Sequence, residues 1–447
     1  MNRPDWINRP CKSAFALALF AFALLAIVMV APLSAATLCV SHTPKAGCKT
    51  TITAALALAA PGDTINVAQG TYTEQVTITQ SISIIGDPFN APEINAAGKS
   101  NGFFINGTAT APAPGVANVT ISGFKVQNAN FEGVLVANAS NVTLLANHVF
   151  DNNKALVHST PSSCPGIPAF ETNEQSDCGE GIHLMAADHA LVSRNLIDFN
   201  SGGILITDET GVSYSNVIQG NIVHDNGYAC GITMAGHPPA TSLIPSAQLP
   251  FGIMHNLITG NQSYHNGLLL PGAGAGVGIF APFPGTVNTA NVVNGNYLYD
   301  NGLPGVTMHN HASAPAPAPR INLNDNVIIG NHIYGNAADT EDAATSGTTG
   351  INIYSTGPIT GLVVAQNFFS DETIDVAFKA PGGSLDAHFN DFSQGSIGID
   401  NLGSAVISAT ENWWHCTTGP STNCSTVGGT GVTVAPWMQV PFSLDLQ

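Results

Sequence analysis

Two asparagines five residues apart recur along the chain as a fixed frame, and this frame restricts the fold more than any other feature of the sequence. In the stretch Asn291–Met308 they are Asn296 and Asn301, and a Gly with a short alternating apolar run follows. The first asparagine of each copy is Asn147, Asn195, Asn221, Asn261, Asn296, Asn331, Asn367, Asn390 and Asn412. The copies lie 22 to 48 residues apart, which indicates a base period in the low twenties that insertions lengthen. A repeat of this size with an apolar period of two excludes a helical repeat and predicts a solenoid coil of short strands.

The apolar run after the second asparagine indicates which side chains face the core. Seven aligned copies begin with Gly: Gly133–Val136, Gly181–Leu184, Gly203–Ile206, Gly231–Met234, Gly276–Ile279, Gly305–Met308 and Gly350–Ile353. Positions two and four are always aliphatic or Met, which predicts that they stack inward from coil to coil while position three faces water. The Gly fits a turn with positive φ, and the Asn fits a left-handed bend where its amide bonds the Asn of the next coil. We therefore expect an asparagine ladder.

These repeats resemble those of the right-handed parallel β-helix proteins of the pectate-lyase-like superfamily. The resemblance extends from about Thr50 to Pro436. It implies an all-β fold, a single right-handed parallel β-helix of about a dozen coils. Because this fold hosts lyases, hydrolases, esterases, epimerases and non-catalytic binding proteins, it does not define an activity. The catalytic motifs of such relatives, including Asn-Thr-Asp with Gly-His-Gly, Asp-Pro-His and an Arg-rich strand set, are missing here.

The first 36 residues have the pattern of a signal peptide, which leaves residues 37–447 as the β-helix domain. Basic residues precede the apolar run Ala14–Ala31, and the small residues Ser34–Ala36 offer a cleavage site before Thr37. A retained membrane anchor is the alternative, because the run approaches the length of a membrane span. We expect cleavage, no membrane insertion afterwards, and a secreted, periplasmic or cell-surface location.

The charge balance limits the partners. Eleven Lys and Arg against 29 Asp and Glu give a net charge of −18, and removal of the leader brings it to about −20. Such a surface repels nucleic acid and anionic membranes. It also disfavours a polyanionic substrate unless cations such as Ca²⁺ bridge the two. We therefore expect a polysaccharide partner, no nucleic acid, a monomeric chain, and no certain cofactor, with Ca²⁺ as the one candidate.

Six cysteines of the mature chain fall into close pairs, which in an exported protein predicts three local disulfides. The predicted pairs are Cys39 with Cys48, Cys164 with Cys178, and Cys416 with Cys424. Cys230 remains. No basic residue stands beside it in the sequence, which favours a buried thiol over a nucleophile.

The two ends of the solenoid need covers, because an open coil exposes an apolar cross-section and unpaired strand edges. Within residues 37–62, Thr51–Ala60 predicts a short amphipathic helix that caps the first coil. Within residues 411–447, Trp413, Trp414 and Trp437 predict a C-terminal plug rather than a ligand site.

Six insertions flank the same strand of the coil, which predicts a cleft. They are Lys154–Cys178, Gly267–Ala275 and Ala337–Thr349 before the strand, and Gly236–Phe251, Ala281–Thr289 and Asn310–Arg320 after it. Loops on both sides would make that strand's sheet the floor of a cleft. Function is expected on loops that a rigid scaffold carries.

The outward side chains of this floor include the candidate catalytic residues His309, His311, His237 and Asp208, and Tyr354 as a candidate substrate-binding residue. His309 and His311 alternate to the same side of one strand, and His237, Asp208 and Tyr354 belong to nearby coils. Histidine with a carboxylate from an adjacent coil gives a general base or part of a metal site, whereas hydrogen bonding within a loop entrance is the alternative. Further outward residues are His183, Glu209, Thr307, Asn352, Lys379 and Asp400. No metal ligand is assigned, because two histidines at i and i+2 make only half a site.

A second candidate surface is a row of tyrosines. Tyr264, Tyr299 and Tyr334 occupy equivalent outward places in consecutive coils, so they lie roughly 4.8 Å apart along the axis. Such a row would stack sugar rings, or the rings would stack on one another with their hydroxyls in water.

Two functions from different classes follow. The cleft favours a polysaccharide lyase, hydrolase or epimerase, with chemistry near His309 and His311. The missing motifs favour a non-catalytic extracellular or cell-envelope protein that binds carbohydrate or adheres to surfaces. The sequence does not decide whether the chain is an enzyme.

Overall fold

The computed structural model describes residues 35–158, 163–171, 178–237, 251–282, 285–310 and 322–442. Through most coils the chain passes in turn through three long parallel sheets, here A, B and C. The fold is therefore an all-β parallel solenoid, and the twelve strands of sheet C match the dozen coils that the sequence predicts.

The strands of each sheet follow one another in chain order, or its reverse, along the solenoid axis, except that Cys48–Lys49 lies at the edge of sheet A, outside Thr37–Val40. Sheet A contains Thr37–Val40, Cys48–Lys49, Thr64–Val67, Ile82–Gly86, Val116–Ser122, Ala139–Leu145, Leu191–Ser193, Val217–Gln219, Leu257–Thr259, Val292–Asn294, Val327–Ile329, Ile359–Ala365, Gly383–His388, Val406–Ser408 and Val432–Thr433. Sheet B contains Thr71–Tyr72, Glu93–Asn95, Lys125–Gln127, His148–Phe150, Leu196–Asp198, Ile222–His224, Gln262–Tyr264, Tyr297–Tyr299, His332–Tyr334 and Phe368–Ser370. Sheet C contains Val76–Ile78, Phe103–Asn106, Val134–Ala137, Ile182–Met185, Ile204–Thr207, Ile232–Ala235, Val277–Phe280, Val306–His309, Thr349–Tyr354, Ile374–Lys379, Ile397–Asn401 and Thr426–Gly429. A small fourth sheet contains Ser213–Tyr214, Ile253–Met254 and Asn288–Thr289.

The inward side chains of sheet C belong to one continuous core, as the sequence predicts. In strand Val306–His309, Val306 and Met308 are fully buried. They align with Ile351 and Ile353 of the next coil, which are buried in the same core. Coil-on-coil stacking of aliphatic side chains thus removes apolar surface from water along the whole axis.

The expectation that the third position of these strands faces water is wrong. Leu135, His183 and Asn352 lie on the outer face of sheet C and are nevertheless buried. The loops that enter this sheet cover its outer face, because Phe170 of one loop packs on the cluster around Leu135 and Asp339 of another binds Asn352. The outer face of sheet C therefore forms the floor of sites that the loops cover.

The predicted asparagine ladder is present between sheets A and B. From Asn147 to Asn412, each side-chain Nδ2 donates to the Oδ1 of the next asparagine at 2.9–3.1 Å. The second asparagines of the frame form another ladder between sheets B and C. It runs from Asn152 to Asn336, where Glu372 accepts the last bond at 3.1 Å. These bonds satisfy buried polar groups at the corners of the coils.

Two backbone expectations at these corners are wrong. The Gly at the start of the seven aligned sheet C strands does not have positive φ. It is needed for close approach, because a Cβ on Gly203 would lie 2.2 Å from the carbonyl oxygen of Gly231. The left-handed residue is the one before each first asparagine, for example Ala146 with φ 53° before Asn147, and this holds for all nine copies.

The N-terminal helix is shorter than predicted, spanning Ile52–Leu56, and a single 3₁₀ turn follows at Thr108–Thr110. The hydroxyl of Thr51 caps the helix by accepting a hydrogen bond from the Ala54 N–H at 3.1 Å. Its side chains Ile52 and Ala55 are buried in the core. Its role as an end cap stays a prediction.

At the C-terminal end Trp414 is fully buried in the core and Trp437 packs against it. Indole nitrogen Nε1 of Trp437 donates to the carbonyl of Thr417 at 3.1 Å. The packing of Trp414 and Trp437 agrees with a plug, and the boundaries of both caps stay predictions.

All three predicted disulfides are present, between Cys39 and Cys48, Cys164 and Cys178, and Cys416 and Cys424. Cys230 is a buried thiol whose Sγ accepts a hydrogen bond from the Ala275 N–H at 3.2 Å. Within the described ranges no helix has the length and apolarity needed to cross a membrane. The predicted leader lies outside those ranges except for its last two residues and stays a prediction.

Candidate functional site

Aligned outward side chains run from coil to coil along sheet C. The strand register pairs Phe280 with His309, His309 with Tyr354, and Tyr354 with Lys379. The rings of Phe280 and His309 are 4.4 Å apart, and Lys379 Nζ lies 5.4 Å from the centre of the Tyr354 ring. His309 and Tyr354 therefore share one floor in neighbouring coils, as the sequence predicts.

His309 has a carboxylate partner that the sequence analysis did not identify. Its Nδ1 binds the carboxylate of Asp342, which lies in the loop before strand Thr349–Tyr354. The backbone of Asp342 is held on two sides, since its N–H donates to Asp339 Oδ1 at 3.0 Å and its carbonyl accepts from Lys379 Nζ at 3.0 Å. A carboxylate on Nδ1 fixes the orientation and tautomer of the imidazole.

The side chain of Asp339 stabilises this loop through hydrogen bonds. Its Oδ1 also accepts from the Glu341 N–H at 3.0 Å, and its Oδ2 accepts from Asn352 Nδ2 at 2.8 Å. His309, Asp339 and Asp342 each present a ligand atom within 4.8 Å of the others. The group has the composition of a partial metal site, but the bonds of both Asp339 oxygens describe a structural carboxylate.

A cavity of about 530 Å³ opens over the same floor, and His309 forms part of its wall. It is lined by Tyr228, Ala229, Cys230, Thr233, Ala235, Leu270, Gly272, Ala273, Gly274, Phe280, Pro282, Leu303 and His309. The lining is largely apolar and comes in part from the insertion Gly267–Ala275. That insertion therefore forms a wall over sheet C, as the sequence predicts.

The other predicted catalytic residues, His237 and Asp208, lie in a second, buried group. The His237 N–H donates to Asp208 Oδ1 at 2.7 Å, and His237 Nδ1 lies 3.6 Å from Glu209 Oε1. His183 belongs to the same group, with its Nδ1 4.0 Å from Glu132 Oε1. All five side chains are almost completely buried. A catalytic role for His237 and Asp208 stays a prediction.

Burial shifts the protonation equilibria of this second group in opposite directions. Desolvation raises the pKa of Asp208 to about 7 and lowers the pKa of His183 to about 4. For Glu209, desolvation acts to raise the pKa, but the neighbouring imidazoles, that of His237 first, together with hydrogen bonds to the carboxylate, outweigh desolvation and the pKa is lowered. The group therefore combines a neutral imidazole with at least one ionised carboxylate near neutral pH.

The tyrosine row on sheet B forms a continuous aromatic column. Ring centres of Tyr264 and Tyr299 are 4.7 Å apart, those of Tyr299 and Tyr334 are 4.8 Å apart, and His224 stacks on Tyr264 at 4.8 Å. Burial and neighbouring charges raise the pKa of Tyr299 to about 12. The rings thus stack on one another, which was one of the two expectations, and a role in sugar binding stays a prediction.

Sequence reasoning missed Asp339 and Asp342, and it also missed the buried carboxylates Glu132, Glu171 and Glu180. The two aspartates lie in the predicted wall insertion Ala337–Thr349, so acidic residues in that insertion were the available signal. Glu132 and Glu180 both stand directly before the Gly that opens a sheet C strand. His311, paired with His309 in the sequence prediction, lies outside the described residues.

Comparisons with known proteins agree with the architecture. A family model for the right-handed β-helix region matches residues 101–243. No curated protein matches the sequence.

Solved structures of the same fold are similar at low sequence identity. The alginate lyase from Paenibacillus sp. str. FPU-7 is 15% identical over 74% of this chain and 94% of its own, with a TM-score of 0.45. The Dettilon tailspike protein gp208 is 14% identical over 84% of this chain and 62% of its own, with a TM-score of 0.51. The DFA-IIIase from Arthrobacter chlorophenolicus A6 is 14% identical over 84% and 89%, with a TM-score of 0.49. Likeness at these identities concerns the fold alone, and the chain is a right-handed parallel β-helix protein.

Proposed function

We propose that this chain is a polysaccharide-processing enzyme whose reaction takes place in the cavity over sheet C. The observation that carries the proposal is the His309–Asp342 pair, because it places an oriented imidazole in the wall of a preformed, loop-walled cavity. Function concentrates in such cavities, where a few polar groups face an apolar lining. His309 serves as the general base, and Asp342 stabilises the imidazolium that forms.

The lining suits a sugar. Aromatic and aliphatic side chains such as Phe280, Leu270 and Leu303 provide flat apolar surfaces against which the faces of sugar rings pack. The net charge of −18 disfavours an acidic glycan unless Ca²⁺ bridges its carboxylates to the protein. Because proton abstraction needs a C–H beside a carboxylate, the expected substrate of the reaction is a uronate glycan bound with Ca²⁺.

Proton abstraction by His309 supports an elimination or an epimerisation better than a hydrolysis. In the elimination, His309 takes the proton from the carbon beside a uronate carboxylate, a C=C bond forms as the glycosidic C–O bond breaks, and the imidazolium returns its proton to the departing oxygen. In the epimerisation, the same carbanion takes a proton from water on the opposite ring face, and the imidazolium gives its proton to the hydroxide that remains. Glycoside hydrolysis generally needs a pair of carboxyl groups at the scissile bond, one of them as acid. In this group Asp342 binds His309, and both oxygens of Asp339 accept hydrogen bonds from the loop and from Asn352. Neither carboxyl is placed to protonate a leaving group.

A glycan panel tests this proposal. The secreted protein is incubated with neutral and acidic polysaccharides, with Ca²⁺ or with a chelator, and absorbance of unsaturated uronates, reducing ends and NMR spectra of the sugars are recorded. We expect an unsaturated or epimerised product, and we expect His309→Gln to lower its rate by about 10²–10⁴-fold. Tyr299→Phe, on sheet B and outside the cavity lining, is the matched control and should keep the rate. Reducing ends without unsaturation, or full activity of His309→Gln, would refute the assignment.

Binding without turnover is the second candidate, and the aromatic column Tyr264, Tyr299 and Tyr334 is the observation that favours it. Because the ring faces cover one another, a sugar would meet ring edges and hydroxyls rather than open faces. Affinity electrophoresis in glycan gels separates the two candidates. If Tyr299→Ala abolishes retardation while His309→Gln retains it and no glycan is converted, the chain is a binding protein.

A further inference from the structure

Three ligand-bearing side chains converge beneath one loop, away from the His309 site. Glu132, Glu171 and His183 each present one ligand atom, and these atoms lie within 4.8 Å of one another. Exposed fractions are only 1%, 7% and 3%. The group is therefore enclosed by protein.

The fold brings the three together from separate parts of the chain. Glu132 lies two residues before strand Val134–Ala137, and His183 lies in the next strand of sheet C, in register with Leu135. Glu171 comes from the loop that the Cys164–Cys178 disulfide closes, midway between the two cysteines.

Aromatic side chains and the disulfide pack this loop against the outer face of sheet C. The ring of Phe170, next to Glu171, stacks on Phe104 at 6.3 Å, and Phe170 also packs against the cluster around Leu135. Cys164 and Cys178 pack with Phe131, which precedes Glu132. The disulfide and these aromatic contacts hold Glu171 over the sheet.

The carboxylate of Glu171 is buried without a hydrogen-bond donor from the described residues. Among the described residues, neither of its carboxylate oxygens has a hydrogen-bond partner, and both are fully buried. His183 Nδ1 is likewise buried without a hydrogen bond from the described part of the chain, whereas its Nε2 lies 2.8 Å from Thr207 Oγ1. A buried carboxylate without compensation is costly, so it is expected to coordinate a cation or to hold a proton.

We propose that Glu132, Glu171 and His183 bind one divalent transition-metal ion, with Zn²⁺ as the ion of choice. One imidazole and two carboxylates are ligands of this class, whereas Ca²⁺ and Mg²⁺ take oxygen ligands almost exclusively. An Nε2–H of His183 that donates to Thr207 leaves the lone pair of Nδ1 for the metal. Ligand atoms around a tetrahedral Zn²⁺ lie roughly 3.4 Å apart, so binding draws the three groups closer together.

The metal site would be a second cross-link that holds the loop on sheet C, in addition to the disulfide. A shared ion would tie Glu171 of the loop to His183 in sheet C and to Glu132 just before it, so metal binding would contribute to the stability of this region. The alternative is a protonated Glu171, since burial and the charges of Glu132 and Glu209 raise the pKa of its carboxyl well above the usual range. A proton and a metal ion compete for the same oxygens, so the experiment must distinguish them.

Metal content of the disulfide-intact full chain tests the proposal. The protein is stripped with EDTA, desalted, titrated with Zn²⁺, and analysed by mass spectrometry of the metal after gel filtration. We expect one Zn²⁺ per chain, and at least about a hundredfold weaker binding in Glu171→Gln, Glu132→Gln and His183→Ala. The matched control is Asp339→Asn, which removes a carboxylate from the other group of three and should bind Zn²⁺ as the wild type does.

A second measurement uses only the wild-type protein, so its result does not depend on whether the variants fold. Zinc X-ray absorption of the wild-type protein should show only nitrogen and oxygen ligands with one imidazole, and a hundredfold excess of Ca²⁺ should not displace the ion. Absence of Zn²⁺ binding by the wild type, unchanged binding in Glu171→Gln, loss of binding in Asp339→Asn, or displacement by Ca²⁺ would each overturn the proposal.

Discussion

Truncation of one ladder asparagine should lower the free energy of unfolding of the solenoid more than truncation of an exposed asparagine does. Asn296 is fully buried, and its Nδ2 donates to Asn331 Oδ1 at 2.9 Å and to the Ile258 carbonyl at 3.0 Å. Its Oδ1 accepts from both the N–H and the Nδ2 of Asn261 at 2.9 Å. Asn296→Ala therefore removes four buried hydrogen bonds and leaves the Asn261 N–H without this acceptor.

The magnitude follows from those bonds. At roughly 1 kcal/mol for each hydrogen bond, with an added cost for the orphaned N–H, we expect a loss of about 3–5 kcal/mol in the free energy of unfolding. Asn294→Ala is the matched control two residues away, because the Asn294 side chain is exposed and donates only one long bond, 3.5 Å, to Thr259. Its effect should stay within about 0.5 kcal/mol.

Guanidinium unfolding followed by circular dichroism measures both changes as shifts of the transition midpoint. Equal midpoints for Asn296→Ala and Asn294→Ala would show that the ladder does not stabilise the corners and would refute this reasoning. Because a solenoid can unfold in parts, the midpoint is compared rather than an extrapolated free energy.

Two further perturbations test the fold at other points. Burial raises the pKa of Asp375 to about 8 in the folded state, whereas an unfolded Asp titrates near 3.9, so the folded chain binds the extra proton. The contribution of Asp375 to the free energy of unfolding is fully present below about pH 4, and it should fall by up to about 1.4 kcal/mol per pH unit as the pH rises to about 8. Asp375→Asn should flatten that part of the profile of Tm against pH. A profile that is unchanged in the variant would contradict this prediction. Gly203→Ala should lower the free energy of unfolding by at least about 2 kcal/mol, because its Cβ would meet the Gly231 carbonyl at 2.2 Å. Gly295→Ala, at φ 64° with open space around the added Cβ, should cost about 1 kcal/mol, and a larger loss than for Gly203→Ala would reverse the argument.

The architecture could be predicted from the sequence because the solenoid repeats one physical solution. Inward aliphatic positions and corner asparagines recur from coil to coil, so each copy of the repeat predicts the same parallel β-helix. The errors arose at the corners. The sequence predicts positive φ at this Gly, whereas Gly203 permits close approach of the next coil, a contact that no single repeat reveals.

The candidate site could be predicted only in part. His309 and Tyr354 follow from strand register, which the repeat sets. Asp342 and Glu171 come from loops whose paths carry no period, so no spacing rule connects them with their partners. Burial of the third strand position was missed for the same reason, since the loops that cover His183 and Asn352 cannot be folded from a repeat alone.

The most direct test of the catalytic proposal is a double-mutant cycle on the glycan that the panel identifies. Turnover is measured for the wild type, His309→Gln, Asp342→Asn and the double variant, with Tyr299→Phe as control. If Asp342 acts only through His309, the double variant should be no slower than His309→Gln alone, because the two residues work as one unit. Additive losses, or normal turnover in His309→Gln, would contradict the account.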